Sequence, residues 1–258
     1  MRKLLLVCCA CLGVFLGQAR ADSVEEIGEQ RGEEQGGPKG SLGWFKAGVD
    51  LLRSGEHRAA LARFERARSM SPKWALPHLE IAVVHLLTDN DRKAIAESLA
   101  KAVELGPEIP RAHYLYGVFL QEQGQRDQAV RHLVKALKLR PSMVDARFRL
   151  ATLYVEQGRQ VKGIEQFELV LGQRPSHMGS RRNLAVLYEQ SGQLEQAERQ
   201  LQAISQLFPN NAYHLTVLGR FYERVGWAGK AKAAYKRAER IEPSGQPRRM
   251  RPLLKSRD

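Results

Sequence analysis

Apolar residues recur along this chain at helical spacing, in pairs of short segments separated by polar turns. Residues 110–143 show the pattern, with one apolar stripe around Leu120 and a second around Leu133. A spacing of three to four residues places each stripe on one side of a helix. The pattern predicts two amphipathic helices, at 111–122 and 127–139. One such pair cannot bury its apolar side alone, so a neighbouring pair must stack on it.

Proline and glycine mark the ends of these helices at a fixed period. The prolines fall 34 or 35 residues apart, at Pro72, Pro107, Pro141, Pro175, Pro209 and Pro243. The glycines that follow the first helices are Gly55, Gly124, Gly158, Gly192 and Gly226. Glycine accepts the left-handed conformation that ends a helix, and proline prevents a helix from continuing. A period of this length indicates an array of helical repeats.

In this register the chain resembles the tetratricopeptide repeat, a family with a 34-residue pattern. From Ser41 the matching residues are Trp44, Gly48, Ala60, Phe64, Ala67 and Pro72, and from Ala212 they are Leu215, Leu218, Gly219, Tyr222, Ala231, Tyr235, Ala238 and Pro243. The resemblance implies an all-α fold, a right-handed α-solenoid of six helix–turn–helix repeats. The predicted repeats are 41–74, 75–109, 110–143, 144–177, 178–211 and 212–243. Positions below are counted from the first residue of each repeat.

The second repeat departs from the family pattern. His85 stands where the family has tyrosine. The turn between its helices, Thr88 to Asp91, is one residue longer and lacks glycine. The pattern therefore predicts irregular local geometry in the second repeat.

The ends of the chain differ from the repeats. Arg2 and Lys3 precede the apolar run 4–16, which is typical of a secretory signal peptide over residues 1–21. We therefore expect an exported protein, most simply periplasmic. A flexible acidic, glycine-rich leader is predicted at 22–40 and a basic tail at 244–258.

Other interpretations of the N-terminus stay open. An uncleaved membrane anchor is one, although the apolar run is short for a span. All three cysteines, Cys8, Cys9 and Cys11, lie in the predicted signal, so the mature chain would form no disulfide. Cys11 could instead accept lipid in an outer-membrane-associated lipoprotein, although the residues before it match the lipoprotein pattern poorly. Secretion is a third possibility. Membrane contact is expected only through such a lipid or through a partner.

The sequence contains no motif that predicts catalysis. Walker-type, HExxH and GxSxG patterns are absent, so an enzyme, a cofactor and a metal site are not expected. His78 and His113 occupy position 4 of neighbouring repeats, and we interpret them as packed core residues. Glutamates recur near the ends of first helices, where a solvated position is expected: Glu122, Glu156, Glu189 and Glu223.

Charge narrows the class of partner. The chain carries a formal net charge of +13, which favours acidic proteins or anionic surfaces. Nucleic acid is not predicted, because the basic residues are scattered and aromatic residues are not interleaved with them.

The resemblance also implies a binding groove lined by positions 2, 5, 9 and 12 of the first helices. The candidate residues are Phe45, Val49, Leu79, Val83, Tyr114, Val118, Phe148, Thr152, Arg182 and Arg220. They predict an apolar N-terminal half and an arginine-bearing C-terminal half that hold a peptide or helix of a partner protein. Alternatively, these apolar residues pack against adjacent repeats or against residues 22–40.

Three functions follow from these observations. The first is a non-catalytic scaffold or adaptor of the bacterial cell envelope. The second is a pilot-like assembly factor for a type IV pilus or secretion complex, because such pilot proteins have a similar length and repeat number. The third is a glycan-binding accessory module of cell-wall or exopolysaccharide machinery, for which Tyr114 with Asp145 is the only indication.

Overall fold

The computed structural model describes residues 39–88 and 91–242 of the chain. These residues form twelve α-helices and no strand. The helices are α1 (Lys39–Ser54), α2 (His57–Met70), α3 (Ala75–Leu87), α4 (Arg92–Leu105), α5 (Pro110–Glu122), α6 (Arg126–Leu139), α7 (Val144–Glu156), α8 (Gln160–Gln173), α9 (Met178–Gln190), α10 (Leu194–Leu207), α11 (Ala212–Arg224) and α12 (Ala228–Ile241). The all-α prediction is confirmed.

Several sequence predictions lie outside the described residues. These are the signal peptide at 1–21, the tail at 244–258 and the leader up to residue 38. The last two residues of the predicted leader, Lys39 and Gly40, belong to α1 instead. Within the described part of the chain, no helix has the length and apolar character that a membrane crossing requires.

Glycine ends the first helix of most repeats, as the periodicity predicts. Gly55, Gly124, Gly158, Gly192 and Gly226 all have a positive φ, between 74° and 85°. L-residues with a side chain rarely adopt this conformation, so these positions require glycine.

The turn of the second repeat is built differently. At its start, the Thr88 hydroxyl donates to the Val84 carbonyl. At its end, the Asp91 carboxylate accepts hydrogen bonds from the backbone N–H groups of Lys93 and Ala94, at 3.0 and 3.1 Å. Asp91 is therefore a side-chain N-cap for α4. In the other repeats, the residue before the second helix makes no side-chain capping hydrogen bond.

The chain divides into two compact units between Leu120 and Gln121. The sequence did not predict this division. Unit 1 contains α1–α4 and nearly all of α5. Unit 2 contains α6–α12, with a core of buried residues that includes Phe167, Leu184, Leu201 and Phe221.

Glycine at position 8 brings the two helices of a repeat close together in each unit. A Cβ atom on Gly48 would lie 2.7 Å from the Phe64 ring, and one on Gly219 would lie 2.7 Å from the Tyr235 ring. The aromatic at position 24 therefore fills the space that a side chain at position 8 would occupy. This packing explains the Gly–aromatic pairing in the sequence.

A recurring hydrogen bond joins position 4 to the proline carbonyl six residues earlier. The Nε2–H groups of His78 and His113 donate to the carbonyls of Pro72 and Pro107, at 3.0 and 3.1 Å. Both histidines are buried, which agrees with their interpretation as packed residues. Burial also lowers the pKa of His78.

Arginine makes the same bond in the next two repeats. Arg147 donates to Pro141 at 2.8 Å, and Arg181 donates to Pro175 at 2.9 Å. This set of bonds ties each repeat to the turn before it and satisfies a carbonyl that the preceding helix leaves open.

Candidate functional site

The structure places the ten predicted groove residues in two different environments. The six in unit 1 are buried, with 1% to 8% of their surface exposed: Phe45, Val49, Leu79, Val83, Tyr114 and Val118. The expectation of an exposed apolar strip is therefore wrong for these residues. Their role in partner binding stays a prediction, but their side chains are not accessible in this structure.

The reason is clearest for position 5, whose aromatic ring packs inside the stack. The Phe45 ring lies 5.5 Å from Phe64 and 4.8 Å from Trp74, measured between ring centroids. In unit 2, the Phe148 ring lies 5.5 Å from Phe167 and 4.9 Å from His177. Both aromatic residues thus sit between the position-24 ring of their own repeat and the residue just before the next one. These ring contacts lie within single repeats, 41–74 and 144–177, whereas the packing alternative placed the apolar residues against adjacent repeats or residues 22–40.

The four predicted residues in unit 2 are more accessible. Phe148 and Thr152 are half-buried, and Arg182 and Arg220 are exposed. The Thr152 hydroxyl donates to the Phe148 carbonyl at 3.0 Å, so it is occupied within α7. Arg182 and Arg220 are therefore the predicted residues best placed to meet a partner.

Two apolar side chains accompany these arginines and were missing from the predicted set. Val186 is 48% exposed and Tyr213 is 39% exposed. They occupy positions 9 and 2, the same repeat positions that selected other candidates. The preceding turn adds Phe208, which is 43% exposed and lies 5.3 Å from the His214 ring.

Two interactions connect α9 and α11, the helices that carry these exposed residues. Near the helix C-termini, the Arg224 guanidinium donates to both carboxylate oxygens of Glu189, at 2.7 and 2.9 Å. Near the N-termini, burial lowers the pKa of His214, and the positive charge of Arg182 on α9 lowers it further. Groups on the two helices therefore interact near both ends. We call Arg182, Val186, Tyr213 and Arg220 the α9–α11 surface.

The two arginines of this surface are unpaired. Neither Arg182 nor Arg220 makes a hydrogen bond or ion pair with another residue of the described ranges. Arg224 is different, because its bidentate bond to Glu189 raises its pKa and holds its charge in place. The α9–α11 surface thus contains two open guanidinium groups and two exposed apolar side chains.

Of the recurring glutamates, Glu122, Glu156 and Glu223 are exposed, as expected for a solvated position, and three of the four also make specific contacts with neighbouring residues. Glu156 pairs with Arg126 at 3.4 Å, Glu189 pairs with Arg224, and Glu223 accepts a hydrogen bond from the Tyr235 hydroxyl at 2.6 Å. These contacts are structural. Among the described residues, no group of three histidine, cysteine or carboxylate side chains could hold a metal ion.

Family comparisons agree with this repeat structure. Three models described as tetratricopeptide repeat match the chain, one at residues 45–108 and 120–177, one at 161–221 and one at 215–244. The chain belongs to the tetratricopeptide repeat family. Tetratricopeptide repeats form a protein-interaction module that is generally non-catalytic. Among curated proteins, no match was found.

Several solved tetratricopeptide repeat structures share this fold. PilW, a type IV pilus biogenesis factor, has a TM-score of 0.62 and 19% identity over 81% of this chain and 97% of its own. PilF of Pseudomonas aeruginosa has a TM-score of 0.62 and 21% identity over 79% and 92%. YrrB, which has an unusual peptide-binding site, has a TM-score of 0.60 and 21% identity over 74% and 95%. At these identities the likeness is one of fold.

Proposed function

We propose that this tetratricopeptide repeat protein is a non-catalytic scaffold that binds a segment of a partner protein through the α9–α11 surface. The observation that carries the proposal is the pair of open guanidinium groups, Arg182 and Arg220, together with exposed Val186 and Tyr213. An exposed apolar patch with convergent charge is typical of an interaction site.

The chemistry of this surface specifies the partner segment. Carboxylates would pair with Arg182 and Arg220, and apolar side chains would cover Val186 and Tyr213. A peptide or helix that alternates acidic and apolar residues has both features. The net charge of +13 would speed the approach of such a segment.

The pathway we propose is assembly of an envelope complex. The signal-like pattern at 1–21 favours export, and the fold likeness to PilF and PilW supports a pilot-like assembly factor as the finer hypothesis. A glycan-binding module has less support. Tyr114, its main indication, is 3% exposed and offers no open ring for a sugar to stack on.

Site-specific photocrosslinking in the native host tests the proposal. A photoreactive residue at Val186 is expected to crosslink to a partner, and the same residue at exposed Arg131 on α6, which belongs to neither proposed site, is expected not to do so. Mass spectrometry would identify the crosslinked segment, which we expect to be acidic and apolar.

Charge reversal provides the matched control. Arg182→Glu with Arg220→Glu is expected to reduce crosslinking at position 186 about tenfold, the effect of a ~1.4 kcal/mol loss of binding. Lys232→Glu with Lys236→Glu makes the same change of charge on α12 and is expected to leave the crosslink unchanged. Equal loss in both double variants would mean that net charge, and not this surface, directs binding.

A further inference from the structure

Position 4 and position 23 form a polar bridge between repeats in most of unit 2. Arg147 donates to the Pro141 carbonyl and also to Gln166 Oε1, at 3.2 Å. One repeat later, Arg181 donates to the Pro175 carbonyl and to Gln200 Oε1, at 2.9 Å. Each arginine side chain thus connects the turn before its repeat to the second helix of its own repeat.

The last repeat lacks this bridge. Its position 4 is Leu215 and its position 23 is Ala234, and neither side chain has a donor. In the described part of the chain, the Pro209 carbonyl accepts no hydrogen bond, whereas the equivalent carbonyls of Pro72, Pro107, Pro141 and Pro175 all accept one from position 4.

A cleft of about 770 Å³ lies at this place, between α10 and α12. It is lined by Pro209, Leu215 and Ala234, the three residues that a bridge would have joined in this repeat. Leu215 and Leu218 are buried at its floor, at 1% and 6% exposure, whereas Pro209 and Ala233 are exposed and contribute its accessible apolar surface.

The charged residues that line the cleft are the ion pair of Glu198 with Lys230, and Arg237. Glu198 accepts from Lys230 and from the Tyr222 hydroxyl, both at 2.8 Å. Burial alone would raise the pKa of Glu198, but these hydrogen bonds and the charge of Lys230 bring it below its usual value. This pair is thus already satisfied. Arg237, in contrast, is exposed and makes no hydrogen bond or ion pair with any residue that the structure describes.

We propose that this cleft is a second binding site, specific for a peptide segment in which an apolar side chain lies next to an acidic one. The apolar side chain would lie against Pro209 and Ala233, the exposed apolar residues of the cleft. A backbone N–H of the peptide would donate to the Pro209 carbonyl, in place of the missing arginine. The acidic side chain would pair with Arg237, the cation of the cleft that lacks a partner. A basic segment is disfavoured, because Arg237 would repel it.

This site is distinct from the α9–α11 surface. The cleft is lined by the second helices α10 and α12, with α11 contributing Leu215, Leu218 and Tyr222. Neither Arg182 nor Arg220 lines it. The two sites can therefore be tested separately.

A double variant whose side chains fill the cleft tests the proposed site most directly. Leu215→Arg with Ala234→Gln restores the bridge residues of the preceding repeats and is expected to occupy the cleft. The probe is an N-acetylated, C-amidated octapeptide with the sequence Gly-Ser-Gly-Leu-Asp-Gly-Ser-Gly, titrated into the full chain and followed by protein NMR. We expect the amide signals of Leu215, Ala234 and Arg237 to shift, and the affinity to fall at least fivefold in the refilled variant.

Controls keep the result interpretable. Peptides with Ala for Leu or Asn for Asp are expected to bind at least fivefold more weakly. Arg237→Gln and Ala233→Phe change exposed positions of α12, so they test the site even if the refilled variant does not fold. Arg182→Glu with Arg220→Glu is expected to leave peptide binding unchanged. Absence of shifts at the cleft, or equal affinity in wild type, Arg237→Gln and Ala233→Phe, would overturn the proposal.

Discussion

At the scale of single residues, burial separates packing positions from binding positions. Phe45 and Phe148 occupy the same repeat position and make nearly the same ring contacts in two different units. Arg182 occupies that position one repeat later and is exposed. One position therefore supports packing when it is aromatic and presents charge to solvent when it is arginine.

The burial of Phe45 predicts how Phe45→Ala changes the free energy of unfolding. Phe45 is 1% exposed, so Phe45→Ala removes a buried ring and is expected to lower the free energy of unfolding by about 3–5 kcal/mol. Urea denaturation followed by circular dichroism measures the change. Arg182→Ala is the control at the same repeat position, with an expected change within ~0.5 kcal/mol because its side chain is exposed.

The opposite result would restore the groove interpretation. If Phe45→Ala kept its stability but lost partner capture, Phe45 would contact a partner rather than the repeat core.

At the scale of helices, the His177 cap is expected to make the stability of the α9 N-terminus depend on pH. Its Nδ1 accepts a hydrogen bond from the Ser180 N–H at 3.1 Å and so caps the helix N-terminus. A protonated ring cannot accept this bond and would place a positive charge at the positive end of the helix dipole. Burial lowers the pKa of His177 below 6.5, and the charge of Arg174 lowers it further.

The sign of the pH effect follows from this lowered pKa. As the pH falls below 6.5, the unfolded chain binds a proton at His177 that the folded chain binds only at a lower pH. Protonation therefore favours unfolding, and we expect the Tm of the wild type to fall between about pH 7.5 and about pH 5.5.

His177→Asn is the matched variant for this test. Asparagine is a good N-cap that does not titrate, and Asn211 caps α11 at the same repeat position by accepting from the Tyr213 N–H at 3.0 Å. The Tm of the variant is expected to depend less on pH, with a residual slope from His78 and His214. An unchanged slope would show that the His177 cap does not titrate in this range.

The helices were predictable from sequence because their end signals are local. Glycine at a positive φ and proline after a helix act on their own backbone, so their positions indicate where helices stop. The exposure of position 5 was not predictable in this way. It depends on rings 19 and 29 residues further along, as in Phe45 with Phe64 and Trp74.

The hydrogen bond from position 4 to the proline carbonyl was also not predictable from the sequence. Histidine and arginine make the same bond in different repeats, so no single residue type signals it. The cleft in the last repeat lies where Leu215 stands in place of the arginines Arg147 and Arg181 of the two preceding repeats. Residues that act through a neighbouring repeat carry no signal within their own repeat.

At the scale of the molecule, division into two units predicts that stability is local. In repeat proteins, stability is approximately a sum of terms for single repeats and for adjacent pairs. Phe45 lies in unit 1, and Phe221, which is fully buried, lies in the core of unit 2. Loss of either ring should therefore increase local opening mainly in its own unit.

Hydrogen exchange followed by mass spectrometry measures this locality. With Phe45→Ala we expect faster exchange of backbone amides in α1–α4 and nearly unchanged exchange in α9–α12, and with Phe221→Ala we expect the reverse. Wild type and both variants would be compared in the same low concentration of urea, so that opening of each unit is sampled. Faster exchange in all helices of both variants would mean that the two units unfold as one cooperative block. The partner-binding surface and the cleft of the last repeat would then depend on the packing of unit 1, and variants at Phe45 would lower binding at both sites without touching either.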